Sequence, residues 1–173
     1  NRMENIVARI RNVIVIWLGQ IRQPRYMLAG VLHIVIFAGF LILSIRSVSL
    51  VILGFADGFV MPGFDGAIGS IYNFIKDYAA TGVLIACIVA AVRRGIYKPE
   101  RYAVPEKYGK DHTGEAVFVL GVISTLMISE SLFEAAEVAA GAQAGHDHFL
   151  APLSLVWWLK LIVKDASTGT LQG

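Results

Sequence analysis

The sequence predicts an all-α fold: a polytopic bundle of transmembrane helices with four spans, preceded by an N-terminal amphipathic interfacial helix. Three observations predict it. Hydrophobic residues make up 56% of the 173 residues, and the mean hydropathy is +0.64. Charged residues reach only 16%, where soluble domains carry about 25%. Apolar runs recur at lengths near the roughly 20 residues that cross a bilayer.

The first element is an amphipathic helix over 4–21. Ile6, Val7, Ile10, Val13, Ile14, Trp17, Leu18 and Ile21 recur at three- and four-residue spacing, which is one helix face. Arg9, Asn12 and Gln20 fall on or near the other face. Trp17, with Arg11 and Arg22 on either side, suits a helix lying in the headgroup layer. Pro24 ends it.

The spans follow. The first covers 27–54 and is interrupted by Arg46 between Ser44 and Ser47. The second covers 66–92, with Lys76 and Asp77 in its first part. The third covers 115–140 and carries Glu130, Glu134 and Glu137 in its second half. The fourth starts near Phe149, holds Trp157, Trp158 and Lys160, and reaches Lys164 in fewer residues than the roughly 20 a span needs. The regions are therefore 1–24 as the interfacial helix, 25–164 as the membrane domain, and 165–173 as a polar tail or the start of a further domain. No internal repeat is visible.

Charge placement predicts orientation. Arg2, Arg9, Arg11, Arg22 and Arg25 precede the first span; Arg93, Arg94, Lys98, Arg101, Lys107 and Lys110 lie between the second and third. The segments 54–66 and 141–148 hold no Lys or Arg. By the positive-inside rule the first two segments face the cytoplasm. The net charge of +2 does not suggest nucleic acid as a partner. The single cysteine, Cys87, excludes a disulfide framework within the chain. It also excludes an iron–sulfur cluster held by these residues alone, which takes about four thiolates.

His33, in the middle of an apolar run, is the residue most expected to carry chemistry. An imidazole in hydrocarbon is costly without a partner. Three readings compete: an axial ligand of haem iron, a structural histidine bonded to a neighbouring helix, or part of a proton path. Gly30 and Gly39 near it let a flat macrocycle approach, and equally let helices pack closely. Arg46 lies about 20 Å further along the helix axis at 1.5 Å per residue; its guanidinium suits a haem propionate, a glutamate of another helix or a lipid phosphate. Glu130, Glu134 and Glu137 share one face at i, i+4, i+7. They suit a quinol site or proton exit, or a face that pairs with Arg46 or Lys76. His146 and His148 flank Asp147; His148 is a candidate ligand of a haem or metal near the outer surface, or part of a solvated loop. His112 reads as exposed.

Beyond these residues, the run from Arg25 through Tyr26-Met27-Leu28-Ala29-Gly30-Val31-Leu32 to His33 and on to Leu43, followed by Arg46, resembles the haem-bearing helix of one family. These are the membrane (Fe-S)-binding oxidoreductases with a cytochrome b domain similar to the nitrate reductase gamma subunit. They include electron-transfer-flavoprotein:menaquinone oxidoreductases and heterodisulfide-reductase-like membrane subunits. Tyr72 with Lys76-Asp77, the basic stretch Arg93-Arg94 to Lys98-Pro99-Glu100-Arg101, Leu132-Phe133-Glu134 and Trp157-Trp158-Leu159 also match in order and spacing. The likeness covers residues 1 to about 159.

The resemblance implies a five-helix membrane domain with b haems in a prokaryotic cytoplasmic membrane. It implies electron transfer between menaquinone and an electron-transfer flavoprotein through iron–sulfur clusters on a further domain or subunit. The expected activity is that of a quinone-linked oxidoreductase. His33 is expected as an axial haem ligand, Arg46 at a propionate and Glu134 at the quinone. The family has a histidine after the double tryptophan, where this sequence has Lys160; a segment missing from the sequence is the expected reason. The competing expectation is a non-redox membrane subunit that anchors or assembles a larger complex, with His33 and the glutamates joining helices.

Overall fold

A computed structural model describes residues 5–21, 23–56, 59, 61–64, 66–98, 112–143 and 150–164. Among them the fold is all-helical, with no strand. The helices are α1 (Ile6–Asn12), α2 (Met27–Leu53), α3 (Ala67–Val92), α4 (Thr113–Gln143) and α5 (Leu155–Val163). Three segments are long and apolar enough to cross a membrane: Met27–Leu53, Ala67–Tyr97 and Thr113–Ala142. No proline interrupts any of them, so the backbone satisfies its own N–H and C=O groups, as hydrocarbon demands.

The three long helices form an antiparallel row with α3 in the centre, packed against α2 on one side and α4 on the other. Contact between α2 and α3 is close because Gly39 is buried and a Cβ there would collide with Cγ2 of Val83. The core between the helices holds Leu43, Ala80, Val83, Leu84, Cys87 and Met127, with Ile36, Leu120 and Ile123 packed against it. Gly30 serves packing too: the chain before α2, at Gln23 and Pro24, lies where its Cβ would be. Both glycines near His33 are thus taken by backbone or side chains of this chain.

Two elements differ from the sequence expectation. The N-terminal helix is α-helical only over Ile6–Asn12 and widens into a π-helical stretch at Val13–Leu18. Its residues are exposed on all sides, and Trp17 sets its ring edge-on to Phe37 of α2 at 6.1 Å. The fourth helix, α5, runs from Leu155 to Val163, about 14 Å at 1.5 Å per residue, and does not match the length of a span. The tail 165–173 lies outside the described residues.

The chain enters α5 through an irregular stretch that α3 holds in place. Asp77 Oδ2 accepts the Ala151 N–H at 3.2 Å, Thr81 Oγ1 accepts the Leu155 N–H at 2.9 Å, and Tyr78 donates its hydroxyl to the Pro152 carbonyl at 2.8 Å. Ser154, fully buried, caps α5 by accepting the Trp157 N–H at 3.2 Å. Non-helical backbone at this depth persists because protein groups satisfy it.

Candidate functional site

The bundle has a polar feature near each end of α3. At the end where α2 starts, α3 finishes and α4 starts, a cavity of about 370 Å³ opens beside His33. Its walls include Ala29 and Ile36 of α2, Ala90 of α3, and Ala116, Val119 and Leu120 of α4. Arg93 and Arg94 line it as well. They begin a π-helical stretch, Arg93–Tyr97, that continues α3; a π turn re-aims side chains relative to an α-helix. A volume of this size falls within the range of small-ligand cavities, about 300–1,000 Å³.

His33 is exposed, not enclosed by helices, and no polar group among the described residues reaches its ring. A second cavity, of about 310 Å³, touches the same side chain from the direction of Trp17, Gln20 and Gln23. A structural histidine would spend its ring nitrogens on a neighbouring helix. Among the described residues, none takes up the ring nitrogens of this one.

The second feature lies where the C-terminal half of α2, the first half of α3 and the second half of α4 meet. Lys76, 3% exposed, bonds Glu134 and sits 3.6 Å from Asp77. Arg46 and Glu137 are 3.7 Å apart. Tyr72 donates its hydroxyl to the Ile42 carbonyl at 3.0 Å. Three buried polar atoms here have no hydrogen-bond partner: Arg46 Nε, Asp77 Oδ1 and Glu130 Oε1. A cavity of about 180 Å³ lies between Arg46, Asn73, Lys76, Asp77, Glu134 and Glu137.

The sequence-predicted residues thus fall into separate places. His33 stands at one end. Arg46 and Glu134 stand together at the other, and Arg46 is not among the residues that line the His33 cavity. His146 and His148 lie outside the described residues. The pairing of the α4 glutamates with Arg46 and Lys76 is present, as Arg46–Glu137 and Lys76–Glu134. The sequence marks Arg93 and Arg94 as topology signals and, like Lys76-Asp77, as part of the family likeness, but assigns no site role to Arg93, Arg94 or Asp77. An antiparallel hairpin carries the missing signal: the start of α2 must sit beside the end of α3.

The donor set at the His33 cavity fits one side of a b haem. It offers one imidazole, small apolar side chains that admit a flat macrocycle, and two guanidiniums suited to propionates. No second histidine or methionine is among the described residues lining the cavity, and no group of three or more His, Cys, Asp or Glu suited to a metal ion occurs among the described residues. Comparison with protein-family models, with curated proteins and with solved structures finds no match to this chain.

Proposed function

We propose that the chain is a membrane cytochrome b module that passes electrons between a cytoplasmic redox partner and menaquinone. The observation that carries this reading is His33: an imidazole in a segment long and apolar enough to span, without a polar partner among the described residues, opening onto a cavity lined by apolar residues and two arginines. His33 would hold a b haem through one ring nitrogen. Ala29, Ala90 and Ala116 would leave room for the ring, and Arg93 with Arg94 would neutralise its propionates. Bound there, the haem supplies one-electron oxidation and reduction. The apolar side chains Ala29, Ile36, Val119 and Leu120 would border the ring, and such a shell would tune its potential.

The likeness of residues 25–46 to the haem helix of the (Fe-S)-binding oxidoreductases supports the choice of partners: an electron-transfer flavoprotein, reached through iron–sulfur clusters on another domain or subunit. In this reading the basic segments face the cytoplasm of a prokaryote, the N-terminal helix lies in the headgroup layer, and α5 belongs to a fourth span. Glu134 is the residue assigned to the quinone region; Arg46, expected at a propionate, pairs instead with Glu137 away from the His33 cavity.

One observation favours the non-redox reading for that second end. Arg46–Glu137 and Lys76–Glu134 tie three helices together, which is what an anchoring subunit needs. A reduced-minus-oxidised spectrum of the purified protein separates the two. The cytochrome reading expects b-type bands in the wild type and loss of at least one haem in His33→Ala. A wild type without haem bands, or unchanged haem content in His33→Ala, overturns it.

A further inference from the structure

We propose that the ionic cluster around Asp77 is a proton-binding site inside the bundle, built around a hydrated cavity. The cluster has two cations, Arg46 of α2 and Lys76 of α3, and four carboxyl groups, Asp77 of α3 with Glu130, Glu134 and Glu137 of α4. Tyr72 of α3 is the other titratable group facing it, and the stretch 150–154 packed over Asp77 brings no charge.

With every carboxyl ionised the cluster would carry two surplus negative charges at a depth where unpaired ions are not tolerated. Each cation already has one close partner: Glu137 for Arg46, Glu134 for Lys76. Asp77 shares Lys76 with Glu134, at 3.6 Å, and Glu130 forms no ion pair among the described residues; Asp77 and Glu130 each keep one buried oxygen without a hydrogen bond. Asp77 is 1% exposed and borders the cavity.

Protons shared among these carboxyls remove the surplus and turn under-compensated ions into neutral acids. The reaction is the reversible one, R–COO⁻ plus H⁺ giving R–COOH, with bulk water as the source. The cavity of about 180 Å³ has polar walls and room for water. Water there would supply the hydrogen bonds that Arg46 Nε and Asp77 Oδ1 lack. The Arg46–Glu137 pair forms the approach: the Glu137 side chain is 63% exposed and lies toward the C-terminal end of α4. The site thus exchanges protons with the side of the membrane on which α4 ends. It stands apart from His33 and does not depend on haem.

Infrared spectroscopy of the full chain in lipid vesicles tests this. At neutral pH the wild type should show the C=O band of protonated carboxyl groups, and the band should shift in D₂O. Asp77→Asn and Glu130→Gln should each remove part of it, and the double variant all of it. These amides keep shape while removing the charge, so both variants should melt at or above the wild-type temperature. A wild type without such a band overturns the proposal, whatever the variants do. So does a band that survives in the double variant, or sodium-dependent melting in the absence of a band, which would assign the site to a metal cation.

Discussion

At the scale of single residues, the chain separates two kinds of intramembrane polarity. His33 stands beside a cavity with no bond to another described residue, whereas Lys76 is consumed by its neighbours. The identity of these residues was legible in the sequence, because a charge or an imidazole inside a long apolar run stands out against hydrocarbon. Which of them meet was legible only in part. The i, i+4, i+7 spacing of Glu130, Glu134 and Glu137 predicts a shared face, but the partner depends on how far α3 slides along α4, and no local rule sets that. The result joins Lys76 to Glu134 and Arg46 to Glu137. Removing one partner of a buried pair costs about 3–5 kcal/mol, because the other is left charged and uncompensated. Lys76→Met should therefore destabilise the protein by about that much, read by denaturant unfolding in detergent. Lys76→Met combined with Glu134→Leu should recover at least half of the loss, since two apolar side chains replace the ions. If the double variant is no more stable than the single one, Glu134 is not the partner that Lys76 neutralises.

At the scale of elements, the three long helices begin and end close to where apolar runs and glycines mark them: 27–54 against Met27–Leu53, 66–92 against Ala67–Val92, and 115–140 against Thr113–Gln143. Composition suffices here, because a bilayer-length apolar segment has no alternative to a helix. The N-terminal segment was less legible. Its three-four spacing fits a continuous helix, yet the register shifts to π after Asn12, and apolar periodicity does not report such a shift. The function of Gly39 was open in the sequence and is closed by packing: its missing side chain is what lets Val83 approach. Val83 is β-branched and holds one rotamer on a helix, so it yields little. Gly39→Ala should cost about 1–3 kcal/mol by overpacking. Val83→Ala made in the same chain should relieve that cost, with a favourable coupling on the order of 0.5–3 kcal/mol in a double-mutant cycle. Additive effects would place α2 and α3 further apart than Gly39 and Val83 require.

At the scale of the whole molecule, the row α2–α3–α4 puts its two polar features at opposite ends of the central helix. The basic residues near one end, Arg93, Arg94 and Lys98, are the same ones that predict orientation. The positive-inside rule thus predicts the His33 cavity in the cytoplasmic half and the Asp77 cluster in the outer half. Labelling with a membrane-impermeant maleimide checks this arrangement directly. The sequence contains one cysteine, Cys87, which is 0% exposed, so the wild type should stay unlabelled from either side in intact vesicles. Lys98 follows the end of α3 and is exposed; Phe55 follows the end of α2, at the opposite end of the bundle, and is 91% exposed. Lys98→Cys should label only in inside-out vesicles, and Phe55→Cys only in right-side-out ones. Both sites labelling from one side would mean that α3 does not cross the bilayer. The reverse pattern would keep the bundle and invert it, moving the His33 cavity to the outer half and the proton-binding cluster to the cytoplasmic half.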